Sequence, residues 1–100
     1  MNDAPQALEA YQQALDLATG QPDWEVVIFR EMYQLFANQG LHDNALRITK
    51  NLLHIHERQG NAPETAQAQR NMARLFYQKE EKDSALYYFR QAGHSALTLA

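Results

Sequence analysis

The chain contains no cysteine, which excludes a disulfide framework, a thiolate zinc site and a cysteine nucleophile and leaves stability to packing alone. No apolar run approaches the roughly 20 residues needed to cross a bilayer, and the mean hydropathy is negative, so a soluble protein without membrane attachment is expected. Blocks of like charge are also missing. A formal net charge of −3, spread without a basic stripe, argues against a phosphate-backbone binder, and nucleic acid is not expected as a partner. Glycine is scarce, with 4 in the chain, and most stand at helix stops, so there is no glycine-rich phosphate loop. The start of the chain, Met1-Asn2-Asp3-Ala4-Pro5, has neither the positive charge nor the apolar stretch of a secretory leader, and a cytoplasmic location is the expectation. A length of 100 residues suits one domain with a modest core.

What the sequence does have is an internal repeat. Arg30 and Arg70, Met32 and Met72, Leu35 and Leu75, Phe36 and Phe76, Asp43 and Asp83, Ala45 and Ala85, and Leu46 and Leu86 are identical pairs, all separated by 40 residues. Unrelated stretches of this length would share about one such pair. A repeat of this period marks a supersecondary unit that cannot bury its apolar face alone and must stack on its neighbours.

The punctuation between the repeated blocks is helical. Asp3 is placed to cap a first helix over 4–19, in which Ala7, Leu8, Tyr11, Ala14, Leu15 and Ala18 keep helical spacing until Gly20, a residue suited to the left-handed stop. Pro22 restarts the chain, and Val27, Ile28, Met32, Leu35 and Phe36 form the apolar stripe of a second helix ended by Gly40. Asp43 opens a third, with Ala45, Leu46, Thr49, Leu52, Leu53 and His56 on its buried side and Gly60 as its stop. Asn61-Ala62-Pro63-Glu64 reads as a capping box, in which Asn61 accepts from the Glu64 amide and the Glu64 side chain returns to the Asn61 amide. A fourth helix runs from Ala62 to Lys79, and a fifth begins at Asp83 and carries Leu86, Phe89, Ala92, Ala96 and Leu97 inward. The one strand candidate, Glu25-Val26-Val27-Ile28-Phe29, lies inside a longer segment of helical period, and length decides for helix. Short connections make consecutive helices antiparallel hairpins over 22–60 and 61–98, giving an all-α fold of about five helices.

The two hairpins resemble the tetratricopeptide repeat, a helix-turn-helix unit of about 34 residues. In that family the first helix carries a large residue, a leucine and a small residue, then an aromatic and a turn glycine. Here those places are held by Phe29, Met32, Tyr33, Phe36 and Gly40, and again by Gln69, Met72, Ala73, Phe76 and Glu80. The second helix wants a small residue, an aromatic and another small residue, supplied by Ala85, Phe89 and Ala92 and less closely by Ala45, Thr49 and Leu52. The first helix fits as an orphan second helix through Ala7, Tyr11 and Ala14. Tyr33, Gln69 and Glu80 depart from the pattern, and the period of 40 is similar to long-helix variants found in cargo, polarity and bacterial regulatory proteins. The small residues are expected where helices cross, and Phe36, Phe76 and Phe89 between the layers.

The resemblance implies a right-handed superhelix whose concave face is lined by the first helix of each hairpin and binds a peptide or partner protein. The groove-facing places fall on Arg30, Gln34 and Asn38 of the second helix and on Arg70, Asn71, Arg74, Tyr77 and Gln78 of the fourth. Arg70 and Arg74 are four apart, and no carboxylate four residues away on that helix relieves them, a pairing that favours an anion. The expected ligand is an acidic segment or a free C-terminal carboxylate held by Arg30, Arg70 and Arg74, with the amides bonding its backbone. In the competing reading these arginines are solvated or pair with glutamates on adjacent helices. The family's lysine and asparagine carboxylate clamp is incomplete here, so chaperone-tail specificity is not implied.

Two full hairpins make a short groove, and exposed apolar ends invite stacking, so self-association through helix one or helix five, or a place in a longer array, is the alternative function. An enzyme is not expected. His54 and His56 are two apart and point in different directions on a helix, where a chelate needs three or four. Ser84 and Ser95 have no nucleophile elbow around them, and Glu80, Glu81 and Asp83 read as a polar turn. Trp24 after Pro22 is expected to staple a helix start. Neither metal nor cofactor is expected.

Overall fold

The computed structural model describes residues 4–97. Every described element is a helix: α1 (Ala4–Leu17), α2 (Pro22–Asn38), α3 (His42–Arg58), α4 (Ala62–Gln78) and α5 (Lys82–Leu97). The last four begin 20 residues apart, so the hairpin period of 40 is two helices in uniform register. Pro22 and Pro63 sit in first turns, where the missing amide proton costs nothing.

One turn geometry recurs at the ends of α2, α3 and α4. The amides of Leu41, Asn61 and Glu81 reach back to the carbonyls of Phe36, His56 and Phe76 at 2.9, 3.0 and 2.9 Å, the long bond of a Schellman stop. Such a stop needs a left-handed residue, and Gly40 and Gly60 supply it with φ of 70° and 65°. In the last turn that residue is Glu80, with φ of 62°. The Asn61 side chain accepts from the Glu64 amide at 3.3 Å, as the capping box requires. The reciprocal half is not formed: the Asn61 amide goes to His56 and the Glu64 carboxylate goes to Arg30 on α2.

Each helix approaches only its sequence neighbours closely, and the chain spreads into a slab of 40 × 32 × 14 Å with a radius of gyration of 14.1 Å. A compact domain of this length would be about 13 Å. The core runs through the slab as Met32, Phe36, Ala45, Leu46, Ile48, Leu52, Met72 and Leu75. Ala45 and Ala73 are completely covered and Ala85 and Ala92 nearly so, because a methyl lets two helix axes approach to about 8 to 10 Å. Thr49 is also fully buried, its hydroxyl donating to the Ala45 carbonyl at 2.8 Å. Gln69 is buried and accepts from the Ser95 hydroxyl at 2.8 Å, joining α4 to α5.

Several expectations change. α1 ends at Leu17 and α5 begins one residue before Asp83, while the cap at Asp3 lies outside the described residues. In α2 the buried positions are Val26, Ile28, Met32 and Phe36, and Val27 faces outward. Phe36 is buried, and Phe76 is half-buried and stacks on Tyr88 with ring centroids 5.5 Å apart. Phe89 and Leu86, by contrast, are 45% and 50% exposed, because no described helix covers that side of α5. Ala96 is exposed for the same reason. Trp24, expected to staple the start of α2, is largely exposed too.

Candidate functional site

α2 and α4 stand on either side of α3 and leave a groove between them. At its centre is a cavity of about 220 Å³, with Leu52 and His56 of α3 beneath, Arg30, Tyr33 and Gln34 on the α2 wall, and Glu64, Gln67, Ala68 and Asn71 on the α4 wall. The apolar floor comes from residues whose helical spacing places them toward the core. The polar rim comes from the outward residues of α2 and α4, so an amphipathic pattern on three helices builds a trough with a greasy base and hydrogen-bonding edges.

Electrostatics in the groove are largely internal. The Arg30 guanidinium bonds the Glu64 carboxylate across the two walls. Beneath them, His56 Nε2 stands 3.9 Å from Glu64 Oε2, and the His56 side chain is only 5% exposed. Burial holds the His56 pKa below its ordinary 6.5; the Glu64 carboxylate opposes this and the Arg30 guanidinium adds to it. His56 Nδ1 has no hydrogen-bond partner. On α4, Arg70 donates to Gln67 Oε1 at 2.7 Å and Gln67 Nε2 donates to Asn71 Oδ1 at 3.2 Å. The wall is therefore a relay of amides that presents both donors and acceptors, the arrangement that recognises a peptide backbone.

Of the residues expected in the groove, Arg30, Gln34 and Asn71 line the cavity. Arg70 joins through its bond to Gln67 but does not line it. Asn38, Arg74, Tyr77 and Gln78 are exposed outside it, further along the two helices. Of the three arginines, only Arg30 lines the cavity, and it already has a carboxylate partner in Glu64. No ion pair holds Arg70 or Arg74 among the described residues.

Tyr33, Glu64 and Gln67 were not anticipated as lining residues, nor was His56. Gln67 was within reach of sequence reasoning, since it lies four before Asn71 on one helical face. His56 was legible only as a core position, because its place under the groove depends on how α3 crosses between α2 and α4. Its neighbour His54 points to solvent, as a spacing of two on a helix requires.

A second ion-pair cluster ties the α4–α5 turn to α3: Lys79 bonds Asp43 and lies 3.2 Å from Glu81. The Asp43 pKa falls through its bond to Lys79, and the Lys79 pKa rises through its bonds to Asp43 and Glu81. Asp43 is highly exposed, so solvent screens the pair.

The chain matches no protein-family profile, no curated protein and no solved structure.

Proposed function

We propose that the chain is a tetratricopeptide-like interaction module that binds an extended peptide, or the extended segment of a partner protein, along the α2–α4 groove. The observation that carries this is the cavity between the two helices, with its apolar base and its amide relay. The internal repeat supports the family reading, and with it a right-handed superhelix and a cytoplasmic scaffold with no catalytic group or cofactor. An acidic segment or a free carboxylate remains the ligand chemistry, with a modified grip. Such a group reaches Arg30 by displacing Glu64, and it meets Arg70 and Arg74 at the outer edge of α4. Gln34, Asn71 and the neighbouring Gln67 bond the peptide backbone.

The test is chemical-shift mapping with extended peptides that differ only in acidic content and in a free or amidated C-terminus. Shifts centred on Arg30, Gln34, Gln67 and Asn71 are expected, with about tenfold weaker binding for Arg30→Ala. Shifts confined to α1 and α5 would overturn the reading.

The second reading is self-association, alone or within a larger assembly. Exposed apolar residues at the two ends of the slab favour it: Leu17, Trp24 and Val27 at one, Leu86, Tyr87 and Phe89 at the other.

A further inference from the structure

The outer side of α5 carries Leu86, Phe89, Gly93 and Ala96, all exposed and spaced to form one helical stripe. Forty residues earlier, the same stripe on α3 is Leu46, Thr49, Leu53 and His56, and three of these four are buried on a helix that packs against both α2 and α4. The repeat therefore specifies what belongs on α5: an amphipathic helix in the place that α4 takes on α3. Within this chain, one other seat of the same kind exists. α1 presents Leu8 and Tyr11 toward the core and packs on α2 alone, and its Ala7, Leu8, Tyr11, Ala14 and Ala18 repeat in order and spacing as Ala85, Leu86, Phe89, Ala92 and Ala96. No described side chain of α1 is fully buried, so it is the least firmly held helix of the five.

We infer that the chain associates head to tail, with α5 of one copy taking the seat of α1 on α2 of the next. This rests on the self-association reading and names its partner and register. Arg30 of α2 reaches Glu64 of α4, and the repeat equivalents of these two residues are Arg70 and Trp24. Continuing the stack across two copies therefore sets Arg70 of one over the exposed indole of the other, a cation–π contact in place of the ion pair. The interface uses two different surfaces, so it propagates from copy to copy, into a ring or an open series of sizes, and does not form a two-fold dimer.

Trp24 is the single tryptophan, so its emission reports the contact directly. Sedimentation velocity and Trp24 fluorescence of the full chain, followed over a wide concentration range, should show mass rising through successive oligomers together with a blue shift. Leu86→Glu with Phe89→Glu should leave a monomer with a red-shifted indole. Gly93→Arg should do the same without endangering the fold, since a Cβ there meets nothing within 4 Å and arginine favours helix more than glycine does. Arg70→Ala should weaken association by roughly three- to fivefold. A chain that stays monomeric overturns both this inference and the self-association reading. Association that is unchanged by Gly93→Arg, or that stops at a dimer, overturns the inference and leaves self-association standing through another surface.

Discussion

Glu80 sits with φ at 62° in the turn position that glycine holds at Gly40 and Gly60. A side chain with a Cβ pays about 1 to 2 kcal/mol for that left-handed backbone. Glu80→Gly should therefore raise stability by about 1 kcal/mol, the entropy of a freer unfolded chain offsetting the remainder, and thermal unfolding would check this. Gly40→Ala should lower it. Periodicity exposed the mismatch in the sequence, because Glu80 stands where the repeat calls for glycine. Only the backbone shows that the turn keeps its shape regardless. His56 is a second single-residue case. Its folded-state pKa lies below the unfolded value of 6.5, so above that value both states are neutral and it contributes no pH dependence. As pH falls below 6.5 the unfolded chain takes up a proton that the folded one resists, and stability drops until the folded pKa is passed. Denaturant midpoints measured from neutral to acidic pH should show this decline, and His56→Gln should remove that part of it.

At the scale of the element, the helix boundaries were legible because glycines, prolines and the apolar stripes agreed with one another. The capping box was half legible. Asn61 caps as its chemistry requires, whereas Glu64 found a charged partner on another helix, which no local pattern encodes. The misplacement of Leu86 and Phe89 has a related cause: spacing identifies a face but not whether anything covers it. The alanines at the crossings make a prediction of their own. Ala73 is completely buried, so Ala73→Leu should force α4 away from its neighbours and cost about 1 to 3 kcal/mol. Met72→Ala, at a site with no exposed surface, should cost about 2 to 5 kcal/mol through the cavity it leaves. Urea unfolding of both variants measures the two effects, and equal stability of Ala73→Leu and the parent chain would contradict the close-crossing account.

At the scale of the whole molecule, close backbone approach is confined to sequence neighbours, with the Arg30–Glu64 bond reaching from α2 to α4, so stability is shared unevenly along the slab. Amide exchange should be fastest in α1, which has one neighbour and no fully buried side chain among those described, and slowest in α3 and α4. Uniform protection across the five helices would show a single cooperative unit instead. The sequence by itself determined the helical class, the turn positions and the repeat, because each depends on the spacing of apolar, small and left-handed residues along a few turns of chain. Tertiary structure decided which of the repeated faces meet. It drew Arg30 to Glu64 and slid His56 beneath them, and it left Arg74 and Tyr77 outside the cavity. It also bared the outer stripe of α5. These outcomes depend on how neighbouring helices cross, and a helix carries the same pattern whether or not another lies against it.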